Sequence, residues 1–100
     1  DVWPLGKVWS MNIRYSARAR AQVELIHDYI AKRNATAARV VVAYIRQAVS
    51  LLASYPQLGR ITDEKNVRIL VVPRFPYVVF YKTNERETVI LSVMHAAQER

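Results

Sequence analysis

The sequence predicts an α+β domain: an N-terminal strand and an antiparallel helical hairpin packed on an antiparallel sheet that a C-terminal three-strand meander completes. Three observations carry this. Two long stretches free of Gly and Pro repeat apolar residues at helical spacing. Only a few residues separate them, which suits an antiparallel hairpin. Everything after Val67 falls into strand-length apolar pieces divided by turn residues. At 100 residues the chain has the length of one small domain.

Each element has its own justification. Residues 12–16 (Asn-Ile-Arg-Tyr-Ser) alternate and contain β-formers, so they read as a short first strand. Ser16 is placed to cap a helix, because its hydroxyl can accept a backbone N–H that the first turn leaves orphaned. The helix runs over 17–32, with Ala19, Val23, Ile26 and Ile30 on one stripe and Arg20–Glu24 and Asp28–Lys32 as opposite charges four residues apart. Asn34-Ala-Thr36 breaks the pattern and offers a second cap. A second helix over 37–54 then lines up Ala38, Val41, Ile45, Ala48 and Leu52, and Pro56 ends it. Residues 56–66 form the one substantial loop. Strands follow over 67–72, 76–82 and 88–95, the last with Val89, Leu91 and Val93 facing one way. Pro73-Arg-Phe-Pro76 and Asn84-Glu-Arg-Glu87 supply the turns, and short connections between successive strands make a meander.

The first ten residues, Asp1 to Ser10, read differently. They hold both tryptophans (Trp3 and Trp9), and Met11 follows them at the point where periodic patterning begins. The division expected is an N-terminal extension over 1–10, preceding a natural start at Met11, and a folded domain over 11–100; deleting the extension is expected to leave folding and partner binding intact. A functional arm anchored by the tryptophans is the rival reading. The segment lacks the basic start and apolar run of a secretion signal.

Composition narrows the function classes. The chain carries 15 Lys+Arg against 8 Asp+Glu, a formal charge of +7, and is 52% hydrophobic. That hydrophobic content excludes a disordered basic tail. With no Cys, there is no disulfide framework, thiolate zinc site or thiol nucleophile, and the chain is compatible with a reducing cytoplasm. Apolar runs fall short of the roughly 20 residues that span a bilayer. Removing the first ten residues takes away one acid (Asp1) and one base (Lys7), so the whole charge belongs to the remainder. Eleven of the bases are Arg, which forks onto carboxylate or phosphate. Arg14, Arg18 and Arg20 gather near the first strand–helix junction; Arg60, Lys65, Arg68 and Arg74 gather around the loop and the strand after it. An ordinary solvated basic surface, a polyanionic nucleic acid and an acidic protein segment all fit that distribution.

Groups able to do acid–base chemistry are few. His27 sits at the edge of the first helix's stripe, where a structural role is the ordinary one and no second imidazole lies four residues away to suggest metal. His95 ends the last strand, where it can face a cleft or simply bond its neighbours. Metal-free RNA cleavage needs a base, an acid and a cation on the scissile phosphate; His95, Glu64, Tyr81 and Arg68 are the candidates, with no spacing that forces them together. No Gly-rich phosphate loop, His/Asp metal cluster or Ser-His-Asp signature is present, so no cofactor is expected.

Several stretches in order carry a resemblance: Val23-Glu-Leu-Ile-His-Asp-Tyr-Ile30, Tyr55-Pro-Gln-Leu-Gly-Arg60, Val67-Arg-Ile-Leu-Val-Val72, Phe75-Pro-Tyr-Val-Val-Phe-Tyr81 and Val89-Ile-Leu-Ser-Val-Met-His95. Over residues 11–98 the chain resembles the ParE/RelE superfamily of bacterial type II toxin–antitoxin toxins. Two activities occur there. RelE-like members cleave mRNA on the ribosome and typically carry an Arg three residues before the strand tyrosine matched by Tyr81; here that position is Val78. The Pro76-Tyr77 opening is similar to the ParE branch, whose members poison DNA gyrase. Arg68 matches an arginine common to both, and Gln98 stands where His-x-x-Arg is frequent, with Arg100 nearby.

The resemblance implies a cytoplasmic bacterial toxin, ParE-like, that inhibits gyrase by binding rather than by chemistry and arrests growth until a ParD-like antitoxin neutralises it. A ribosome-dependent mRNA interferase using Arg68, Tyr81 and His95, or a non-toxic antitoxin-binding co-regulator, are the alternatives. Target contacts are expected at Arg60, Arg68, Arg74, Tyr77 and His95. The antitoxin's acidic amphipathic C-terminal segment is expected along the helical hairpin and sheet edge, at Arg14, Arg18, Tyr29, Arg33, Val89 and Leu91. Neither a membrane nor direct DNA binding is implied.

Overall fold

The computed structural model describes residues 11–98. The expected extension over 1–10 and Arg100 lie outside them. The order is β1 (Asn12–Tyr15), α1 (Ala17–Ala31), α2 (Ala35–Ser50), a 3-10 turn (Leu51–Ala53), β2 (Arg60–Ile61), β3 (Val67–Val71), β4 (Tyr77–Thr83), β5 (Glu87–His95) and a closing 3-10 turn (Ala96–Gln98). The α+β architecture is the expected one: two helices on a sheet whose strand order is β1-β5-β4-β3-β2.

Both helices start where their caps place them. The Ser16 side chain accepts from the Ala19 N–H at 3.0 Å, and Asn34 accepts from the Ala37 N–H at 2.9 Å. The second helix therefore begins two residues earlier than its apolar pattern suggests, because Asn34 rather than Thr36 is the cap. It also tightens to 3-10 geometry at Leu51, before Pro56. The α2 stripe is buried as patterned, at Ala38, Val41, Ile45, Ala48 and Leu52. With its 3-10 extension this segment is, by length and composition, apolar enough to cross a bilayer. That exceeds the expectation from apolar runs alone, but its stripe packs in the core with Leu70, Val79, Tyr81 and Val93, as a core helix does. On α1, neither Arg20–Glu24 nor Asp28–Lys32 closes to ion-pair distance among the described residues. Exposed pairs of this kind are worth only tenths of a kcal/mol and do not hold long side chains in one geometry.

The sheet is mixed rather than wholly antiparallel. β2 to β5 pair antiparallel, but β1 joins β5 in parallel. β2 itself emerges from the stretch expected to be loop, where Arg60 and Ile61 pair with Ile69 and Arg68. A register shift interrupts β5: Phe80 pairs with Ser92 and Tyr81 with Ile90, so Leu91 is an extra, unpaired residue. This bulge overturns the expected common facing of Val89, Leu91 and Val93. Ile90 and Val93 both enter the core, while Val89 and Leu91 stay half-exposed. The bulge is satisfied locally. Ser16 Oγ donates to the Leu91 carbonyl at 3.1 Å, and Gln22 Oε1 accepts from the Val93 N–H at 2.7 Å.

Candidate functional site

The residues with chemical potential lie at two ends of the sheet. β3 and β4 run antiparallel, with Arg68 opposite Tyr81 at one end and Val71 opposite Val78 at the other. Tyr77 faces His95 across β4 and β5. Tyr81 and Tyr77 are four residues apart on one strand, which is about 13 Å of extended chain.

At the first end, Tyr81 is fully buried. Its hydroxyl donates to the Pro56 carbonyl and accepts from the Gly59 N–H, both at 2.8 Å. Arg68 Nη1 donates to the Gly59 carbonyl at 2.7 Å and to that of Gln57 at 3.3 Å. Two strand side chains thus hold the loop by four hydrogen bonds. Burial raises the Tyr81 phenol above its ordinary value, against the Gly59 N–H and the Arg68 charge, which lower it. The phenol stays protonated and engaged. Glycine is required at 59: a Cβ would stand 2.7 Å from the Ile69 carbonyl oxygen and 2.8 Å from the Tyr81 ring. Arg60, Leu58 and Ile61 are displayed outward from this loop. Glu64 is exposed beyond it, its backbone engaged by Thr62.

At the second end, Tyr77 and His95 meet edge to face, with ring centroids 5.5 Å apart. Together with Leu25, Ile26, Tyr29 and Met94 they line an open hollow between α1 and β5. Leu25 and Tyr29, 67% and 74% exposed, form its apolar outer wall. Their spacing of four places them off the buried stripe; Tyr29 is among the expected antitoxin contacts, and the same spacing marks Leu25, which is not. The His95 Nδ1 accepts from the Ala97 N–H at 3.0 Å, so the neutral ring carries its proton on Nε2. Gln98 folds back to accept from the His95 N–H at 3.4 Å. Desolvation, then the nearby Tyr29, raises the Tyr77 phenol. Arg74 sits in the β3–β4 turn at a φ of 74°, with its guanidinium over the Tyr44 ring at 5.8 Å.

The expected residues therefore separate. Arg60, Arg68 and Tyr81 belong to the clamped loop, and Arg74, Tyr77 and His95 to the opposite end. Arg68, Tyr81 and His95 do not converge on one point. Val78 is buried, opposite Val71 and Met94. Among the expected antitoxin contacts, Arg18, Tyr29 and Arg33 are exposed on the helical hairpin. Arg14 instead forms a bidentate pair with Glu87 at 3.1 and 3.2 Å. Val89 and Leu91 lie on β5, an interior strand that β1 flanks, so the open edge on that side is β1. Among the described residues the His27 ring bonds only its neighbour Asp28, at 3.2 Å. Among the described residues no cluster of three His, Asp or Glu could hold a metal ion.

The family model described as the ParE toxin of the type II toxin–antitoxin system parDE matches residues 13–100. The chain is 42% identical over 87 residues to "Putative toxin Y4kP" of Sinorhizobium fredii, covering 87% of this chain and 90% of that protein. It is 33% identical over 81 residues to toxin RelE2 of Caulobacter vibrioides, covering 81% of this chain and 90% of that one. In fold it is similar to a chain of the chromosomal ParDE system of P. aeruginosa, with a TM-score of 0.78 at 24% identity over 86% of this chain and 96% of that one. A chain of the Mycobacterium tuberculosis RelBE2 toxin–antitoxin complex gives 0.61 at 18% identity, covering 89% and 94%. The match across nearly the whole domain, with a relative well above 30% identity, establishes that the chain belongs to the ParE toxin family of type II toxin–antitoxin systems.

Proposed function

We propose that this toxin acts by binding DNA gyrase, without chemistry of its own, and that a small antitoxin with an acidic amphipathic C-terminal segment neutralises it. The single observation that carries this reading is the state of Tyr81. A catalytic phenol or its neighbours must reach a 2′-hydroxyl and a phosphate within hydrogen-bond distance. Tyr81 is buried, both its hydrogen bonds are committed to the loop, and His95 lies a strand and about 13 Å of chain away. Val78 supports the same reading, because a buried apolar residue occupies the position where the RNA-cleaving branch carries arginine. For the antitoxin, the exposed Leu25–Tyr29 wall supplies an apolar seat, and Arg18 and Arg33, exposed on the same helical hairpin, supply countercharge.

Ribosome-dependent mRNA cleavage is the second reading, favoured by the similarity to RelE2. Gyrase supercoiling and ribosome-programmed mRNA cleavage, assayed side by side with purified toxin, separate the two. Loss of supercoiling with intact mRNA is expected. Cleavage of A-site mRNA with gyrase unaffected would overturn the proposal. Expression without antitoxin should arrest growth; unimpaired growth would favour an antitoxin-binding co-regulator.

A further inference from the structure

We infer that the loop held by Tyr81 and Arg68 is a preformed docking element for an acidic, apolar segment of the protein this toxin acts on, on a face separate from the antitoxin's. The inference rests on the toxin reading but not on which protein is the target.

The geometry is unusual for a surface loop. Loops with no burden to carry are normally mobile and polar. This one is tied down by four side-chain hydrogen bonds and a glycine packed against the Tyr81 ring, and beside Gln57 and Arg60 it displays two large apolar side chains. Leu58 is 50% exposed and Ile61 73%. Tyr55, Leu51 and Val71 are exposed alongside. An ordered apolar surface of this kind lowers the entropy cost of association, because the side chains that make contact are already positioned. Leu58, Leu51 and Val71 line one hollow beside the loop and Ile61 lines the other, and exposed apolar side chains gathered around one element mark an interaction site.

Charge selects the occupant. Two hollows flank the loop, and the one that Arg68 lines has no carboxylate among its walls. Arg68 spends its Nη1 protons on carbonyl oxygens, which do not neutralise it, and no carboxylate lies within ion-pair distance among the described residues. An apolar segment bearing Asp or Glu meets both features, whereas a second copy of this chain, at +7, brings the wrong sign. The loop leads into β2, at the opposite sheet edge from β1. The Leu25–Tyr29 wall lies on α1, which packs over β5. The two faces can therefore be altered independently.

The test uses the double variant Leu58→Glu/Ile61→Glu, whose sites are exposed and whose folding is checked by circular dichroism. Three readouts are compared with the unaltered toxin: growth arrest on expression without antitoxin, affinity for the cognate antitoxin, and inhibition of gyrase supercoiling. Growth arrest is expected to be lost, the concentration for half-inhibition of supercoiling to rise by at least about tenfold, and antitoxin affinity to stay within about twofold. Undiminished growth arrest overturns the inference. So does a fall in antitoxin affinity as large as the fall in toxicity, which would make the loop the antitoxin's seat. Should the unaltered toxin arrest growth but leave gyrase active, while the double variant no longer arrests growth, the docking loop stands and the gyrase reading falls. Arg68→Gln and Arg68→Lys distinguish a nucleic acid as occupant. Crosslinking of unaltered toxin to nucleic acid in arrested cells that is lost in both the double variant and Arg68→Gln overturns the assignment to a protein segment.

Discussion

Tyr81 joins two segments that are 22 residues apart, and its phenol shows how one side chain can fix a loop. Replacing it with Phe leaves the ring but strands the Gly59 N–H and the Pro56 carbonyl, both of which it satisfies at 2.8 Å. Tyr81→Phe should cost about 1–3 kcal/mol in urea unfolding and speed amide exchange at Gly59. A cost near zero would mean that the loop finds other partners. Gly59→Ala should destabilise by a similar amount, about 1–3 kcal/mol, since its Cβ meets backbone as well as the ring. His95 carries a different prediction. With Nδ1 accepting from Ala97, nitrogen NMR of the neutral ring should show a protonated Nε2 and an unprotonated Nδ1; the reverse tautomer would remove that bond. At this scale the sequence revealed identities but not partners. Tyr81, Arg68 and the Pro56-to-Arg60 stretch were each visible as candidates. Their joining was not, because it depends on which strand β3 pairs with and on the loop folding back over that pair. The phenol consequently reads as a catalytic candidate from sequence and as a clamp in the structure.

The elements were more legible where local chemistry sets them. Ser16 is a cap in sequence and in structure, the second cap falls within the expected Asn34-Ala-Thr36 stretch, and the α2 stripe is buried as its spacing predicts. The direction of β1 and the bulge in β5 were not legible. A short strand carries no mark of its direction, and Val89-Ile-Leu-Ser-Val93 is apolar on both parities, so nothing in it advertises an inserted residue. Ser16 connects these two features, capping α1 while donating to the bulged Leu91. Ser16→Ala should therefore cost more than an isolated cap, toward the upper part of the about 0.5–2 kcal/mol range for caps, measured by chemical denaturation. The Arg14–Glu87 pair fastens β1 to β5 from the side chains. Hydrogen bonding from Arg14, and then its charge, hold the Glu87 carboxyl below the ordinary carboxylate range despite some desolvation. Because the folded value is the lower one, the pair's contribution is complete above the unfolded glutamate value, about 4.3, and fades as pH falls through the folded value. Arg14→Ala should move the Glu87 midpoint upward in a carboxyl NMR titration and remove this acid-side dependence. An unchanged midpoint would show that the exposed pair is screened in solution.

Across the whole molecule, the charge of +7 belongs to a compact domain with separable faces rather than to a tail or a single binding stripe. Composition alone left a nucleic acid, an acidic protein segment and an ordinary solvated surface all open, since arginine suits each. The structure separates the arginines by what each does. Arg14 pairs with Glu87, Arg68 braces a loop, Arg74 lies over Tyr44, and Arg18 and Arg33 stand exposed on the helical hairpin. Arginines scattered over several faces raise the potential around the molecule and steer an acidic protein in from a distance, while the final fit falls to the apolar surfaces. This division predicts how antitoxin capture depends on salt. Steering acts beyond contact and is screened over roughly 10 Å at 0.1 M ionic strength. Apolar seating at the proposed Leu25–Tyr29 wall is not screened. In stopped-flow binding to the cognate antitoxin, the association rate constant should fall by about tenfold or more between about 0.05 and 0.5 M salt, while the dissociation rate constant changes little. Leu25→Ala/Tyr29→Ala should do the opposite, speeding dissociation with association nearly unchanged. An association rate indifferent to salt would dissociate the charge from antitoxin capture and return it to the target-facing side of the protein.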